Sequence, residues 1–446
     1  MAFIPHSDED VAAMLEAVGA SSVRELYEDI PDRLILDGPL ALPDPLSEWE
    51  AVRLLREYAA LNSSLTSFAG AGIYDHHVPA ALDHLTRRSE FYTAYTPYQP
   101  EVSQGTLQAV YEFQTMVCEL TGMEVANASM YDGASATAEA VLMAMALTRR
   151  SRVVLSASLH PHYRKVVETY LTGQEARLDR LPAADRGVVD AAEASRALDE
   201  DTACLVVQNP NFFGLLETLP PLAEAAHAAG ALLLVVVADA MSLSLVRPPG
   251  ECGADIVTAE GQAFGNAPSF GGPVVGLFAS RARFVRKMPG RIVGATVDVE
   301  GRRGYVLTLQ TREQQIRREK ATSNICTNQG LNALAATIYL ALMGRTGLRQ
   351  VAETAAQNAH YARDRLEERG VRPLHPGVPF FREFAVATPR DSRDVLARGT
   401  ERGLLAGVSL RRFPESGPDD GLLLAFTEKH RRADIDRLVE LVASSA

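Results

Sequence analysis

Tryptophan, cysteine and long apolar runs are scarce in this chain of 446 residues. It has one tryptophan, and its four cysteines, Cys118, Cys204, Cys252 and Cys326, form no CxxC pair and no Cys/His cluster at metal-ligand spacing. We interpret them as buried thiols and expect no metal site. No stretch approaches the roughly eighteen uninterrupted apolar residues that a membrane span requires, which argues against a membrane protein.

A secretory signal and a basic stripe are also missing. The N-terminal stretch has no basic region followed by an apolar run, so a cytoplasmic location is expected. The net charge is −12, and no Lys/Arg run is long enough to follow a phosphate backbone. These features argue against a nucleic-acid partner and favour a protein or small-molecule partner.

Length and composition predict a globular chain of two or three domains. Apolar residues make up 47% and charged residues 22% of the sequence, which are ordinary values for a globular protein. Residues 1–105 are predicted to form an N-terminal helical arm and a long functional loop. In the arm, the spacing of Ser47 and Glu50 fits a capping box at the start of a helix. Residues 106–310 are predicted to form a large α/β domain, and residues 311–446 a linking helix and a small α+β domain.

Apolar runs alternate with helical segments in the central part of the chain. The predicted strands are Arg152–Ser156, Ala203–Val207, Leu232–Ala238, Asp255–Thr258 and Val274–Phe278, and the helices between them include Pro161–Leu171 and Pro220–Ala229. Such alternation indicates a mostly parallel sheet that is covered on both faces. Two later strands, Glu383–Ala387 and Leu422–Phe426, are predicted in the small domain. This organisation is typical of pyridoxal-phosphate (PLP) transferases of the aspartate aminotransferase type, fold type I.

An enzyme of that type needs backbone donors for the cofactor phosphate, an acid for the pyridine nitrogen and a lysine for the aldehyde. Ser129, Asp132 and Gly133 lie in a small-residue turn that leads into a helix, where N–H groups could approach an anion; a simple helix cap is the alternative. Asp239 follows the most apolar strand, where α/β sheets bind ligands, although it could equally cap the next turn.

The expected lysine is absent. Gln262 stands in its place after the strand Asp255–Thr258, and an amide cannot form an imine. Only four of the 44 basic residues are lysine, and none has the right context; they are Lys165, Lys287, Lys320 and Lys429. The chain alone is therefore not expected to hold PLP covalently, and Ser129, Asp132, Gly133, Asp239 and Gln262 are interpreted as a vestigial cofactor pocket.

Four longer motifs carry a specific resemblance. Ser67–Pro79, Glu90–Gln108, Asn127–Gly133 and Arg317–Gln329 closely resemble the alpha subunit of the glycine cleavage system P-protein, and the similarity extends over nearly the whole chain. The resemblance implies a subunit of glycine dehydrogenase (aminomethyl-transferring), an oxidoreductase that decarboxylates glycine on PLP and passes the aminomethyl group to the lipoyl arm of the H-protein. It also implies a beta subunit that supplies the lysine and binds PLP covalently, a heterotetramer, and no activity of this chain alone.

The residues that could contribute to a shared site lie in the loop before residue 106. They are Tyr95, Tyr98, Gln99, Ser103 and Gln104, whose hydroxyl and amide groups could reach the partner's cofactor. Interface packing without contact to substrate is the alternative for the tyrosines. Tyr74, Asp75 and His76 form a second patch, for which a local turn is the alternative.

Three basic residues in the last motif, Arg317, Arg318 and Lys320, could meet the partner subunit or an acidic carrier protein. With Glu313 and Glu319 nearby they could also form a solvated helix face. Two other functions stay open at this stage. They are a self-sufficient PLP enzyme with a lysine in a non-standard place, and a non-catalytic regulatory or binding subunit.

Overall fold

A computed structural model describes residues 5–36, 38–184, 186–415 and 417–444. These residues form two compact units, which divide between Ser63 and Ser64. The boundaries at residues 105 and 310 that the sequence suggests stay predictions. Among the described helices, none is both long and apolar enough to cross a membrane.

The N-terminal unit consists of short helices. Its α-helices are α1 (Asp8–Val18) and α2 (Glu48–Ala60), and each begins with a serine in a capping box. The predicted box at Ser47 is confirmed, because the Ser47 hydroxyl accepts the Glu50 N–H and the Glu50 carboxylate accepts the Ser47 N–H. Neither helix buries a residue.

The second unit begins with short elements and continues into the large sheet and its helices. In chain order they are β1 (Thr66–Ser67), α3 (Ala80–Thr86), α4 (Ser89–Tyr92), α5 (Gln104–Thr121), β2 (Val125–Ala126), α6 (Gly133–Thr148), β3 (Arg152–Ser156), α7 (Pro161–Leu171), β4 (Arg177–Leu181), α8 (Ala191–Ala197), β5 (Thr202–Gln208), α9 (Leu219–Ala228), β6 (Leu232–Val237), β7 (Ile256–Glu260) and β8 (Gly276–Ser280).

Seven of these strands form one sheet in the order β2-β8-β7-β6-β5-β3-β4. Strands β3 to β7 are parallel, while β8 and β2 are antiparallel to their neighbours. The central strands are buried along most of their length, as their continuous apolar runs require. The mostly parallel sheet is therefore confirmed, and the carboxyl ends of β3, β6 and β7 meet at one edge.

The remaining elements of this unit form a hairpin, a long helix and a C-terminal region with a small sheet. They are β9 (Ile292–Val297), β10 (Arg303–Thr308), α10 (Gln314–Arg317), α11 (Gly330–Glu368), β11 (Glu383–Ala387), α12 (Ser392–Glu401), β12 (Leu404–Leu405), β13 (Val408–Ser409), β14 (Gly421–Ala425) and α13 (Arg432–Ala443). Strands β11, β14 and β13 form an antiparallel sheet, and β12 pairs with β1. Helix α11 is kinked at Gly344, whose φ is +57°.

The cysteines correct one expectation. Cys204 and Cys252 are buried as predicted, but Cys118 and Cys326 are only partly buried. Cys118 lies on α5, which is amphipathic and covered on one face only, and Cys326 lies in the loop before α11. A scattered cysteine is therefore not always an interior residue, because its position on the element decides its burial.

Candidate functional site

A cleft at the carboxyl edge of the sheet collects the polar groups of the predicted vestigial pocket. Asp239 follows β6, Gln262 lies two residues after β7, and Gly133 begins α6. All three residues are buried. The structure thus brings the residues of the predicted vestigial pocket together at one edge of the sheet, and each of them bonds to another group of the same chain.

The carboxylate of Asp239 is paired with a buried arginine. Arg382, just before β11, donates hydrogen bonds of 2.5 and 2.6 Å to the two carboxylate oxygens. Arg382 is fully buried and Asp239 is 5% exposed, so the pair is held away from water. The acid at this place is consequently neutralised by a cation that the chain itself provides.

Arg382 also fixes the protonation of His76. Its Nη1 lies 2.6 Å from Nε2 of His76, which must act as the acceptor because a guanidinium has no lone pair to offer. The Nδ1–H of His76 therefore donates to Glu428, at 2.7 Å. Burial, and then the charge of Arg382, lowers the pKa of His76, which keeps the imidazole neutral.

Gln262 uses both ends of its amide. The Oε1 atom accepts the backbone N–H of Tyr74 at 3.0 Å, and Nε2 donates to the backbone carbonyls of Tyr74 at 3.0 Å and Asn266 at 2.6 Å. The Tyr74 ring lies under the guanidinium of Arg382, 4.0 Å from its central carbon. Its hydroxyl donates to Glu383 at 2.8 Å. The segment around Tyr74 therefore fills the space next to the lysine position.

The N-terminus of α6 is occupied by a carboxyl group from β7. Glu260 accepts hydrogen bonds from the backbone N–H groups of Gly133 and Gln262, each at 3.0 Å, and a longer one from Val275 at 3.4 Å. Burial raises the pKa of Glu260 to about 8, while these three donors lower it. Asp132 caps the helix through the N–H of Ser135 at 2.7 Å, which is the simple cap that the sequence left open.

Two further groups complete the cleft. His160 follows β3, and because its Nδ1 accepts the N–H of His162, its Nε2–H donates to the carbonyl of Ala71 at 3.0 Å. Burial lowers the pKa of His160 to about 4. Ser129, a buried residue with φ +143°, accepts a hydrogen bond from Asn328 at 2.6 Å. Ser129 therefore faces the segment before α11.

The space that remains in the cleft does not fit PLP. The cavity between Tyr74, Asp239 and Arg382 has a volume of about 10 Å³, which is at the lower limit for one water molecule. All four lysines are exposed, and Lys429 pairs with Asp75 at 2.6 Å. Next to Asp239 the chain therefore offers neither the volume of a pyridine ring nor a lysine. In the part of the chain that the structure describes, no group of His, Cys, Asp or Glu residues could hold a metal ion either.

The loop that contains Tyr95 and Tyr98, which we name the aromatic loop, is exposed, in contrast to the buried cleft. Tyr95 is 70% exposed and Tyr98 is 45% exposed, and Gln99 is also exposed. The loop is supported from below by the buried Arg291, which donates to the hydroxyls of Tyr98 at 3.1 Å and Thr96 at 3.3 Å. A half-open apolar cavity of about 170 Å³ lies between this loop, α5 and the start of α11. The two tyrosines and Gln99 are therefore available to another molecule.

Gln104 has a different role from its neighbours. Its Nε2 donates to the carbonyls of Pro100 at 2.7 Å and Tyr305 at 2.9 Å, and its Oε1 accepts the N–H of Tyr305 at 2.8 Å. The side chain thus ties the first turn of α5 to β10. Ser103, the residue before α5, is half-buried and makes no side-chain cap. The residues that face outward are those nearer the middle of the loop.

The second patch and the basic segment are also placed by the structure. Tyr74, Asp75 and His76 each bond to the C-terminal region, through Glu383, Lys429 and Glu428 respectively. Arg317, Arg318 and Lys320 are exposed, but they lie on a four-residue helix and a following 3-10 turn rather than on one helix face. Glu313, which could have paired with them, lies 3.5 Å from Arg291 instead.

Sequence reasoning missed Arg382, Glu260 and Glu383 as members of the cleft. Each is a charged residue inside or directly beside an apolar strand, which is a signal of a buried polar contact. The partner of such a residue lies far away in the sequence. Asp239 and Arg382, for example, are 143 residues apart.

The comparisons with known proteins extend over the whole chain. A model of the family described as "Glycine cleavage system P-protein" matches residues 1–442. The chain is 50% identical over 446 residues to "Probable glycine dehydrogenase (decarboxylating) subunit 1" of Carboxydothermus hydrogenoformans, covering 99% of both chains. It is 51% identical over 444 residues to the protein of the same name from Thermomicrobium roseum, covering 99% of this chain and 98% of that one.

Solved structures agree with this result. A glycine decarboxylase (P-protein) of the glycine cleavage system, in inhibitor-bound form, is 46% identical with a TM-score of 0.90 and 100% coverage of both chains. A glutamate decarboxylase from Lactobacillus brevis has a TM-score of 0.68 at 12% identity, covering 93% of this chain and 95% of that one. The latter similarity bears on the fold alone, which is that of the PLP-dependent enzymes.

Proposed function

Because this chain belongs to the glycine cleavage system P-protein family, we propose that it is the lysine-free subunit of a two-subunit glycine dehydrogenase (decarboxylating). The full-length relatives carry the name subunit 1 of that enzyme, and this chain is a subunit of the same kind. The finer parts of the proposal are a second subunit that holds PLP on a lysine, assembly into a heterotetramer, transfer of the aminomethyl group to a lipoyl H-protein, and a cytoplasmic location.

One observation supports the proposal that the partner holds the cofactor and this chain completes the site. The cleft that would hold the cofactor has Gln262 in the lysine position and a cavity of only about 10 Å³. The chain nevertheless keeps an exposed aromatic loop outside that cleft. A chain that cannot hold the cofactor but presents hydroxyl and amide groups to a neighbour is suited to complete a partner's site.

We assign specific tasks to the loop. PLP on the partner would stabilise the carbanion that is left when glycine loses carbon dioxide. Tyr95, Tyr98 and Gln99 would orient the substrate and help to exclude water from the shared site. Ser103 and Gln104 belong to the same predicted set, but the bonded amide of Gln104 suits it to hold the loop in place. Arg291 supports Tyr98 in the same way.

The experiment is a reconstitution of the two chains. This chain and the product of the neighbouring reading frame are purified separately, and glycine–bicarbonate exchange is measured with PLP and H-protein for each chain and for the mixture. Exchange is expected only in the mixture. Exchange by this chain alone would show a self-sufficient enzyme, and no exchange in a complex that does assemble would show a binding or regulatory subunit.

A further inference from the structure

The segment from Ala69 to His76, which we name the plug, enters the cleft at the edge of the sheet. We infer that the plug and Arg382 are an internal substitute for the cofactor, and that Gln262 holds this substitute in place. The chain accordingly takes up no PLP, and restoring a lysine at position 262 does not bring the cofactor back. This inference concerns the chain's own cleft and goes beyond its role toward a partner.

Groups of this chain take the positions at which a cofactor's polar groups would bind. Arg382 gives Asp239 a positive partner, which a protonated pyridine would otherwise provide. Glu260 accepts the N–H of Gly133 and Asp132 accepts the N–H of Ser135 at the start of α6, where a phosphate would otherwise bind. Both polar places are therefore satisfied before any ligand arrives. A ligand would have to displace bonds that are already made within a closed interior.

The plug is fixed at both ends by the C-terminal region. At its start, β1 pairs with β12, and the carbonyl of Phe68 accepts the N–H of Ala425 at 2.9 Å. At its end, the carboxylate of Glu428 binds His76 and the backbone N–H of His77, each at 2.7 Å. Within the plug, Glu383 accepts the N–H of Ala71 and the hydroxyl of Tyr74, each at 2.8 Å. Gly72, Tyr74 and His76 of the plug are buried, and its other residues are partly buried.

The packing around the plug leaves no room for a side chain at one of its two glycines. A methyl group on Gly70 would overlap the carboxylate of Glu383 and the side chain of Ala425. Gly72 has room for a methyl group, but its φ of +92° is one that other residues rarely adopt. Glycine is therefore required at position 70 by the close packing and favoured at position 72 by the backbone conformation.

Gln262 is the residue that this arrangement requires. An amide offers an acceptor and two donors on one flat group, and here it meets the N–H and the carbonyl of Tyr74 together with the carbonyl of Asn266. A lysine has no acceptor for the Tyr74 N–H. The amide at position 262 is thus a positioning group for the plug rather than only the remnant of a lost lysine.

The test counts PLP in the assembled enzyme. The wild-type complex with the lysine-bearing subunit and a complex that contains Gln262→Lys in this chain are saturated with PLP, reduced with borohydride and dialysed. Bound PLP is then measured by phosphate analysis, and the modified lysine is located by peptide mass spectrometry. The partner subunit is the positive control in the same sample.

We expect one PLP per pair of subunits in both complexes, with the adduct on the partner's lysine. A second PLP per pair, or an adduct at position 262, would overturn the inference. Assembly of the Gln262→Lys complex is checked by gel filtration. If that variant does not assemble, the unreduced wild-type complex in excess PLP decides the matter, because an open cleft would retain a second cofactor without a covalent bond.

This result is separate from the proposed function. Counting PLP requires no turnover of glycine. An inactive complex would therefore refute the proposed enzyme role, while the number of bound PLP molecules would still decide the inference about the plug. Conversely, a second PLP in an active complex would refute the inference about the plug, while the proposed two-subunit reaction would still stand.

Discussion

The guanidinium of Arg382, just before β11, and the carboxylate of Asp239, at the end of β6, form a bidentate ion pair with hydrogen bonds of 2.5 and 2.6 Å. Neither side chain has appreciable contact with water. Asp239 is the residue that the sequence analysis predicts as the acid of a vestigial cofactor pocket. The ion pair therefore bears both on the proposed loss of the cofactor and on the stability of the cleft.

Breaking this pair from one side is expected to be strongly destabilising. Arg382→Met leaves Asp239 buried without its counter-charge, and we expect a loss of about 3–5 kcal/mol in the free energy of unfolding. The double variant Arg382→Met with Asp239→Asn removes both charges and should recover part of that loss. Urea unfolding of the isolated chain measures both values. A single variant that loses less than about 1 kcal/mol would contradict a buried, paired arginine.

The stability of the chain should fall as the pH rises from about 6.5 to 8. Burial raises the pKa of Glu383 to about 7, against an ordinary value of 4.5 for the unfolded chain. The folded state therefore keeps a proton that the unfolded state has lost, and stability declines as pH rises through the folded pKa. Glu260, with a pKa of about 8, acts in the same direction. The decline should be visible from about pH 6.5 upward. Below that pH the buried histidines His76 and His160, whose pKa values are lowered, make stability rise with pH and so oppose the decline.

Glu383→Gln is the matched variant for this pH effect. The amide cannot ionise and keeps an acceptor for the N–H of Ala71, so it resembles the protonated acid, while its NH2 group would donate to the Tyr74 oxygen and reverse that bond. It should remove about 1 kcal/mol of the decline between pH 6.5 and 8. Thermal unfolding at several pH values gives the slope, and an identical slope for the wild type and the variant would refute the assignment of this proton to Glu383.

Tyr95→Phe tests the shared-site loop. The side chain is exposed and its hydroxyl makes a long contact of 3.5 Å with Thr327, so its loss should change stability little. If the hydroxyl orients substrate, glycine–bicarbonate exchange of the two-subunit mixture should fall by about 10-fold or more. Tyr92→Phe is the control, because Tyr92 is equally exposed, at 67% against 70%, and lines the same cavity. Equal, small effects of the two substitutions would support the alternative that these tyrosines only pack at an interface.

Gln104→Ala tests whether that side chain anchors the loop. Its hydrogen bonds to Pro100 and Tyr305 should be lost, with a decrease of about 1–3 kcal/mol in the free energy of unfolding. Gln108, one turn later on α5, is exposed and bonds only to Glu112 among the contacts described, so Gln108→Ala should change stability little. If both variants are equally stable, Gln104 is free to reach a partner instead.

The fold was largely predictable because its strongest signals are local. The strand Arg152–Ser156 and the helix Pro161–Leu171 have the predicted bounds, since a buried apolar run and a proline at a helix start are visible in the sequence. Strand β4 and the hairpin of β9 and β10 were missed. Strand β4 reads RLDRL and lies at the edge of the sheet, where charged side chains are common and the apolar signal is weak.

The candidate site was predictable only in part. The order of elements indicated that Asp239, Gln262 and the turn before α6 would meet at one edge of the sheet. The bonds that close the cleft join residues more than a hundred positions apart, as between Tyr74 and Gln262, and no local pattern indicates such a contact. The sequence accordingly predicted an absent lysine, while the structure adds the plug that replaces the cofactor.

Glycine–bicarbonate exchange by the two chains, measured apart and together with PLP and H-protein, tests most directly whether this chain works only as part of a pair. We expect no exchange by this chain, exchange by the mixture, and loss of that exchange when the partner's cofactor lysine is substituted. Exchange by this chain alone, or exchange by the mixture that survives substitution of the partner's lysine, would contradict it.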